Sequence, residues 1–215
     1  MSPLKAVVNG VTDEGVGTRI GWMALTFFAI YVPVTIVSFY LLPEGVLRGK
    51  HPIISRLHFS PTVWVCALQI FAYNLVPTGL IVTGNLLAQQ SRLVKHRYVP
   101  IGYTAFWGLT ALFAVITGSW SFDVVATAPP LLERFTRLLD ISRRAGLLEF
   151  SAYLLAATAS FGLTLWYSDG KTIVATRGWR DVSLTRTEAG LLMLALILLL
   201  CAACVESHAI AELGR

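Results

Sequence analysis

In this chain of 215 residues, 55% are hydrophobic and 13% are charged, against about 25% charged in an ordinary soluble domain. A mean hydropathy of +0.67 excludes a water-soluble globule and points to a polytopic membrane protein folded as a single domain. The formal charge of +5 comes from loop arginines and lysines and forms no aromatic-interleaved basic patch, so it reads as a topology signal and as contact with lipid headgroups; nucleic-acid binding is not indicated.

The chain opens on a short polar lead over residues 1–17, rich in turn formers. Arg19 then stands before the first apolar run, 20–42, which carries no charge and exceeds the roughly 20 residues needed to cross a bilayer. It is read as a span rather than a cleavable leader. Pro33 should kink it. The second run, 62–90, is overlong and polar in places, with Gln69, Asn74, Pro77, Gly79, Gly84, Asn85 and Gln89. It reads as one kinked helix or as a helix broken at Pro77, where Asn74 or Thr78 would compensate for the lost backbone bond. A third span covers 101–122. After Pro129 and Pro130, apolar Leu131, Leu132, Phe135, Leu138 and Leu139 recur at helical spacing with Glu133, Arg134, Arg137 and Asp140 between them. That pattern predicts an interfacial amphipathic helix near 130–142. Phe135, Leu138 and Leu139 should face the apolar side, and Arg134 and Arg137 the headgroups or a partner. The fourth span, 146–167, ends on Trp166 and Tyr167, an aromatic belt. Asp169-Gly170 marks a turn, and 172–176 reads as a short strand. The fifth span covers 189–210. The fold class is therefore an all-α membrane bundle of about five transmembrane helices plus one interfacial helix.

Two carboxylates lie inside this apolar sequence. Glu149 shares a helical face with Ala152, Ala156 and Ser160, and Glu206 shares one with Ala195, Ala202 and Ala209. Such stripes let membrane helices approach closely, so both glutamates point into helix contacts. Glu149 stands 17 residues before Trp166, and Glu206 stands 17 after Ala189. At 1.5 Å per residue, each lies about 25 Å from the same far interface if the spans are antiparallel. They should therefore share one depth. A carboxylate in hydrocarbon costs about 2.5–3.5 kcal/mol on insertion scales, so each needs a partner, a proton or a wet cavity. Glu149, Glu206, Asn74, Gly146 and Gln69 are the candidate intramembrane polar and partner-contact residues.

Orientation stays open. Nine basic residues (Lys5, Arg19, Arg92, Lys95, Arg97, Lys171, Arg177, Arg180 and Arg186) fall on the amino-terminal side, and eight (Arg48, Lys50, Arg56, Arg134, Arg137, Arg143, Arg144 and Arg215) on the other. The chain shows no metal-ligand cluster, no paired intramembrane histidines for haem, and no HExxH, GxSxG, Walker or dinucleotide motif. It is read as non-enzymatic, with no catalytic, cofactor or metal residues. Cys66, Cys201 and Cys204 fall in apolar runs. The CxxC formed by the latter two lacks thiolate-stabilising neighbours, so core packing is expected for all three.

The segments RRAGLLEFSAYLLAATASFGL and LLLCAACVESHAI resemble the stage II sporulation protein M family of membrane proteins. Gly146, Glu149 and Glu206 match its Gly-x-x-Glu and its second Glu closing the last span. The Asn74–Gly79 region is similar to its Asn-containing span. A His commonly precedes the Gly in that pattern, and here Ala145 stands there. The resemblance implies a multi-pass protein of a bacterial cytoplasmic (inner) membrane that acts through partners, as the sporulation member does in recruiting cell-wall-degrading enzymes to a septum.

The expected function is thus a non-enzymatic scaffold or assembly subunit. Its partners would be other membrane proteins, further copies of itself, and lipid headgroups. Two alternatives stand beside it: a permease or channel component, using the polar second span and the two carboxylates, and an accessory subunit of an energy-transducing complex.

Overall fold

The computed structural model describes residues 2–50, 60–122, 127–139 and 145–213. The chain is mostly helical, and five of its helices are long and apolar enough to cross a membrane: Val16–Leu41, Val63–Gly84, Ile101–Gly118, Gly146–Leu163 and Arg186–Glu212. The polar lead is itself structured. Pro3–Val11 forms α1, with proline in its first turn, where a missing N–H does no harm. Val8 and Val11 are buried, and Gly10 lies against the Trp22 indole.

Helix α2, Val16–Leu41, runs through Pro33 without ending. Its buried residues Arg19, Met23, Thr26, Phe27, Tyr31, Thr35 and Ser38 recur at steps of three and four, so one stripe faces the bundle. Leu25, Phe28, Val37 and Tyr40 point outward, as lipid contact requires. Helix α3, Val63–Gly84, is continuous through Pro77, so the broken form of the second span does not occur. The Thr78 hydroxyl donates to the Asn74 carbonyl at 2.7 Å, tying the turn around the proline. Helix α4 is Ile101–Gly118, α5 Leu131–Leu139, and α6 Gly146–Ala159 with a 3-10 turn at Ser160–Leu163. Helix α7 covers Arg186–Leu213.

The all-α expectation needs correcting. A four-stranded sheet in the order β2-β1-β3-β4 caps the end of the bundle where α3 and α6 stop and α4 and α7 start. Its strands are β1 Leu87–Gln90, β2 Tyr98–Pro100, β3 Trp166–Ser168 and β4 Ile173–Ala175. The second helix therefore ends at Gly84 and not near residue 90. Asn85 turns its side chain into α6, donating to the Ala157 carbonyl at 2.8 Å and the Ser160 hydroxyl at 2.7 Å. The chain beyond it satisfies its backbone by pairing β1 with β3. The fourth span ends early for the same reason, since Trp166 and Tyr167 are strand residues. The third stops at Gly118 and not at 122, because Trp120 takes a left-handed φ of 50°. The fifth begins at Arg186, three residues before the expected 189. The turn read at Asp169-Gly170 is present, with Gly170 at φ 90°. Asp169 Oδ1 accepts from the Lys171 and Thr172 amides and the Thr172 hydroxyl. These bonds hold its carboxyl below the usual carboxylate range. The strand read at 172–176 is β4.

The two sheet hairpins belong to similar units. Both α3–β1–β2–α4 and α6–β3–β4–α7 are a helix, an antiparallel hairpin and a helix. The units join through the parallel pair β1 and β3, with Leu87 opposite Trp166. The Leu86 carbonyl accepts from both the Leu165 and Trp166 amides.

At the opposite end, α5 places Phe135 against the Tyr31 ring, 6.1 Å between centroids, as the apolar pattern requires. Arg134 departs from that pattern. Its spacing puts it among headgroups, yet it is buried at 2% exposure. Its Nε donates to the Pro129 carbonyl at 2.8 Å and its Nη1 to the Gly118 carbonyl. Nη2 meets Glu44 at 3.1 Å, and the guanidinium lies over the Phe39 ring at 4.6 Å. Two carbonyls, a carboxylate and aromatic faces together offset the loss of water. Arg137 stays half exposed and pairs with Glu133. The side chains of Leu138 and Leu139, and residues 140–142, lie outside the described residues.

The core lies between α2, α4, α6 and α7, around Phe27, Tyr31, Phe106, Phe150, Ala156 and Leu199. Helix α4 is held close at both ends by glycine. A Cβ on Gly102 would overlap the Ile81 carbonyl oxygen, and one on Gly118 would overlap that of Thr35. Gly108 between them has nothing within 4 Å. Gly102→Ala should therefore destabilise the protein by about 1–3 kcal/mol through overpacking, while Gly108→Ala is tolerated. Thermal unfolding of both variants in detergent checks this, and equal melting points would refute the packing assigned to α4.

Candidate functional site

Helices α3, α6 and α7 bring the polar residues together near the end opposite the sheet. Glu149 stands in the first turn of α6, where the helix dipole favours an anion. Asn74 of α3 donates through Nδ2 to Glu149 Oε1 at 2.6 Å. The Tyr153 hydroxyl, one turn further along α6, donates to Asn74 Oδ1 at 3.1 Å. These two bonds set the amide's orientation, since its nitrogen must face the carboxylate and its oxygen the phenol.

The small-residue stripe explains how the groups meet. Ala152, Ala156 and Ser160 of α6 are fully buried, and so are Ala195 and Ala202 of α7 to within 1%. With no large side chains on these faces, α6 and α7 pack closely along their length. Because α6 ends and α7 starts at the sheet, the packed pair runs antiparallel and carries Glu149 and Glu206 toward the same end of the bundle. Among the described residues, neither carboxylate has a salt bridge to Lys, Arg or His.

The remaining candidates stand apart. Gln69 accepts from the Ser60 amide at 2.9 Å and so secures the start of α3. Gly146 is the first residue of α6 and has no direct part in the network. Of the cysteines, Cys66 is buried as expected, while Cys201 faces outward and Cys204 is intermediate. The CxxC pair is thus not a core pair. Among the described residues, no group of three His, Cys, Asp or Glu is placed to hold a metal.

A second polar centre is not evident from the sequence pattern, which sets Arg19 as a charge ahead of the first span. Arg19 lies inside α2 at 2% exposure and pairs with Glu188 of α7 at 2.8 Å. It also donates to the carbonyls of Asp13 and Glu14, both at 2.9 Å, and of Thr158 at 3.3 Å. The other oxygen of Glu188 accepts from the Thr185 amide at 3.0 Å, and the Thr185 hydroxyl accepts from the Glu188 amide at 3.2 Å. This is a capping box. Its pattern, Thr-Arg-Thr-Glu before an apolar run, is present in the sequence and is the signal that could have located it.

No family model, curated protein or solved structure matches this chain.

The Asn74 bridge gives a direct test. Glu149→Ala leaves the Asn74 amide unpaired inside the bundle and should cost about 1–3 kcal/mol. Glu149→Gln keeps an acceptor oxygen for the Asn74 amide and should cost less. Thermal denaturation in one detergent compares the two, and a wild-type melting point for the alanine variant would refute the bridge.

Proposed function

We propose that this chain is a non-enzymatic scaffold or assembly subunit of a bacterial cytoplasmic membrane, acting through protein partners. One observation carries the reading: Glu149 and Glu206 lie toward the same end of the packed α6–α7 pair and, among the described residues, no salt bridge neutralises either. A charge in hydrocarbon is costly unless paired. Asn74 and Tyr153 share a hydrogen-bond chain with Glu149 but bring no positive charge. A lysine or arginine from a partner helix, docked beside α3, α6 and α7, completes the site. The resemblance of Gly146, Glu149 and Glu206 to the stage II sporulation protein M pattern supports the same reading, because the sporulation member of that family recruits other proteins. Nothing in the cluster is arranged as a nucleophile with a base, which favours a binding role over catalysis. The permease alternative draws on the polar second span and the two carboxylates; the continuous course of α3 through Pro77 leaves it without a broken helix to line a path.

Affinity purification in mild detergent with quantitative mass spectrometry tests this. The wild-type chain should retain at least one membrane partner or a second copy of itself. A Glu149→Gln, Glu206→Gln variant should lose it by about tenfold, the effect of one charge-assisted contact. A wild-type protein that runs as a lone monomer would contradict the proposal.

A further inference from the structure

The sheet end of the bundle carries a cavity of about 260 Å³, lined by Gln89, Gln90, Ser91, Arg92, Val99, Ile101 and Thr104. Its position follows from the fold: β1 leaves α3 and β2 leads directly into α4. The cavity therefore lies where two apolar helices reach the membrane surface. Five of its seven lining residues are polar, one of these is a guanidinium, and none is acidic. The first turn of α4 adds to the positive character, since it has neither a side-chain cap nor an acidic residue and its free amides favour an anion. At this volume the cavity is smaller than the roughly 300–1,000 Å³ of sites for drug-sized ligands. It suits a headgroup rather than a whole lipid.

One exposed face of α4 continues from the cavity lining. Ile101, Thr104, Gly108 and Leu112 are all exposed and follow one another along a single face of α4 at steps of three and four. At Gly108 the space beside the helix is open, with nothing within 4 Å of where a Cβ would stand. Beyond Ile101 and Thr104, which also line the cavity, this face carries only Gly108 and Leu112, so the cavity opens onto a shallow notch and an uncharged stretch of helix in the direction of the hydrocarbon. The arrangement is polar and cationic above, uncharged and open below.

We propose that the cavity seats the phosphate of an anionic phospholipid, with its acyl chain lying along the Gly108 notch. Arg92 supplies the charge-assisted contact, and Gln89, Gln90 and Thr104 supply side-chain donors. Arg97, the neighbouring arginine, is already engaged, donating to the Thr12 carbonyl at 3.1 Å. The lipid assignment, against a soluble phosphate, rests on the uncharged stretch below the cavity. This inference is independent of the Glu149–Glu206 pair, which lies at the other end of the bundle.

The test uses the full chain in nanodiscs of phosphatidylcholine mixed with phosphatidylglycerol, with retained lipid read by native mass spectrometry. The wild type should keep phosphatidylglycerol over phosphatidylcholine. Arg92→Gln should reduce that preference by about tenfold, and Gly108→Leu should reduce retention by filling the notch. Lys171→Gln, an exposed charge on the other hairpin, should change nothing. Equal retention of the two lipids, or no effect of Arg92→Gln, would overturn the site. Displacement of the lipid by sn-glycerol 3-phosphate, with Gly108→Leu behaving as wild type, would overturn the lipid assignment in favour of a soluble phosphate.

Discussion

Arg19 is a guanidinium with 2% of its surface exposed, set among apolar helices. Removing such an ion from water costs several kcal/mol, and only close pairing together with further hydrogen bonds repays it. The surroundings meet that demand from four directions. Glu188 comes from α7, the Thr158 carbonyl from the end of α6, the Asp13 and Glu14 carbonyls from the turn after α1, and the Phe161 ring lies 4.6 Å below. Glu188 cannot move to suit, because its second oxygen closes the capping box that starts α7. The positions of α1, α2, α6 and α7 at the sheet end are thus fixed by one side chain.

The same device recurs elsewhere. Arg134 gathers the Pro129 and Gly118 carbonyls and Glu44 at the opposite end. Arg48 donates to the Trp120 and Phe122 carbonyls. Arg177 donates to the Thr164 and Gly162 carbonyls. Backbone carbonyls at helix ends lack intrahelical donors, and arginine reaches them with several N–H groups at once. This accounts for the even division of basic residues between the two sides. Several of them serve the fold, so a count of charges loses its meaning as a topology signal. It also sets the carboxylates apart: Arg19 and Arg134 are held by carbonyls and by Glu188 or Glu44, while Glu149 has the neutral Asn74 amide and, among the described residues, neither Glu149 nor Glu206 has a salt bridge.

Apolar patterning and small-residue stripes made the long helices and the α6–α7 contact legible in the sequence. Ala152, Ala156, Ser160, Ala195 and Ala202 are buried where their spacing places them. The depth argument for Glu149 and Glu206 needed only helical rise and antiparallel order. Glu149's partner was not legible, because Asn74 is 75 residues away and their meeting depends on how α3 is rotated. Of the sheet only β4 was legible, at 172–176; the other three strands were hidden for a different reason. Strands of three and four residues such as Leu-Ala-Gln-Gln are too short to show alternation, and β1 extends an apolar run that reads as helix. Amphipathic spacing misplaces Arg134 because it assigns every charge to the wet face. It carries no information about the carbonyls and aromatic rings that make a dry position tolerable.

The dependence of the sheet end on Arg19 is open to a double-mutant cycle with Arg19→Met and Glu188→Gln, followed by equilibrium or thermal unfolding in a single detergent. The amide side chain of the second variant retains an oxygen for the cap but loses the charge. Arg19→Met alone should cost about 3–5 kcal/mol, because it leaves a buried carboxylate unpaired. In the Glu188→Gln background it should cost less, giving a coupling of roughly 1–3 kcal/mol. Additive effects, with no coupling between the two positions, would contradict the account.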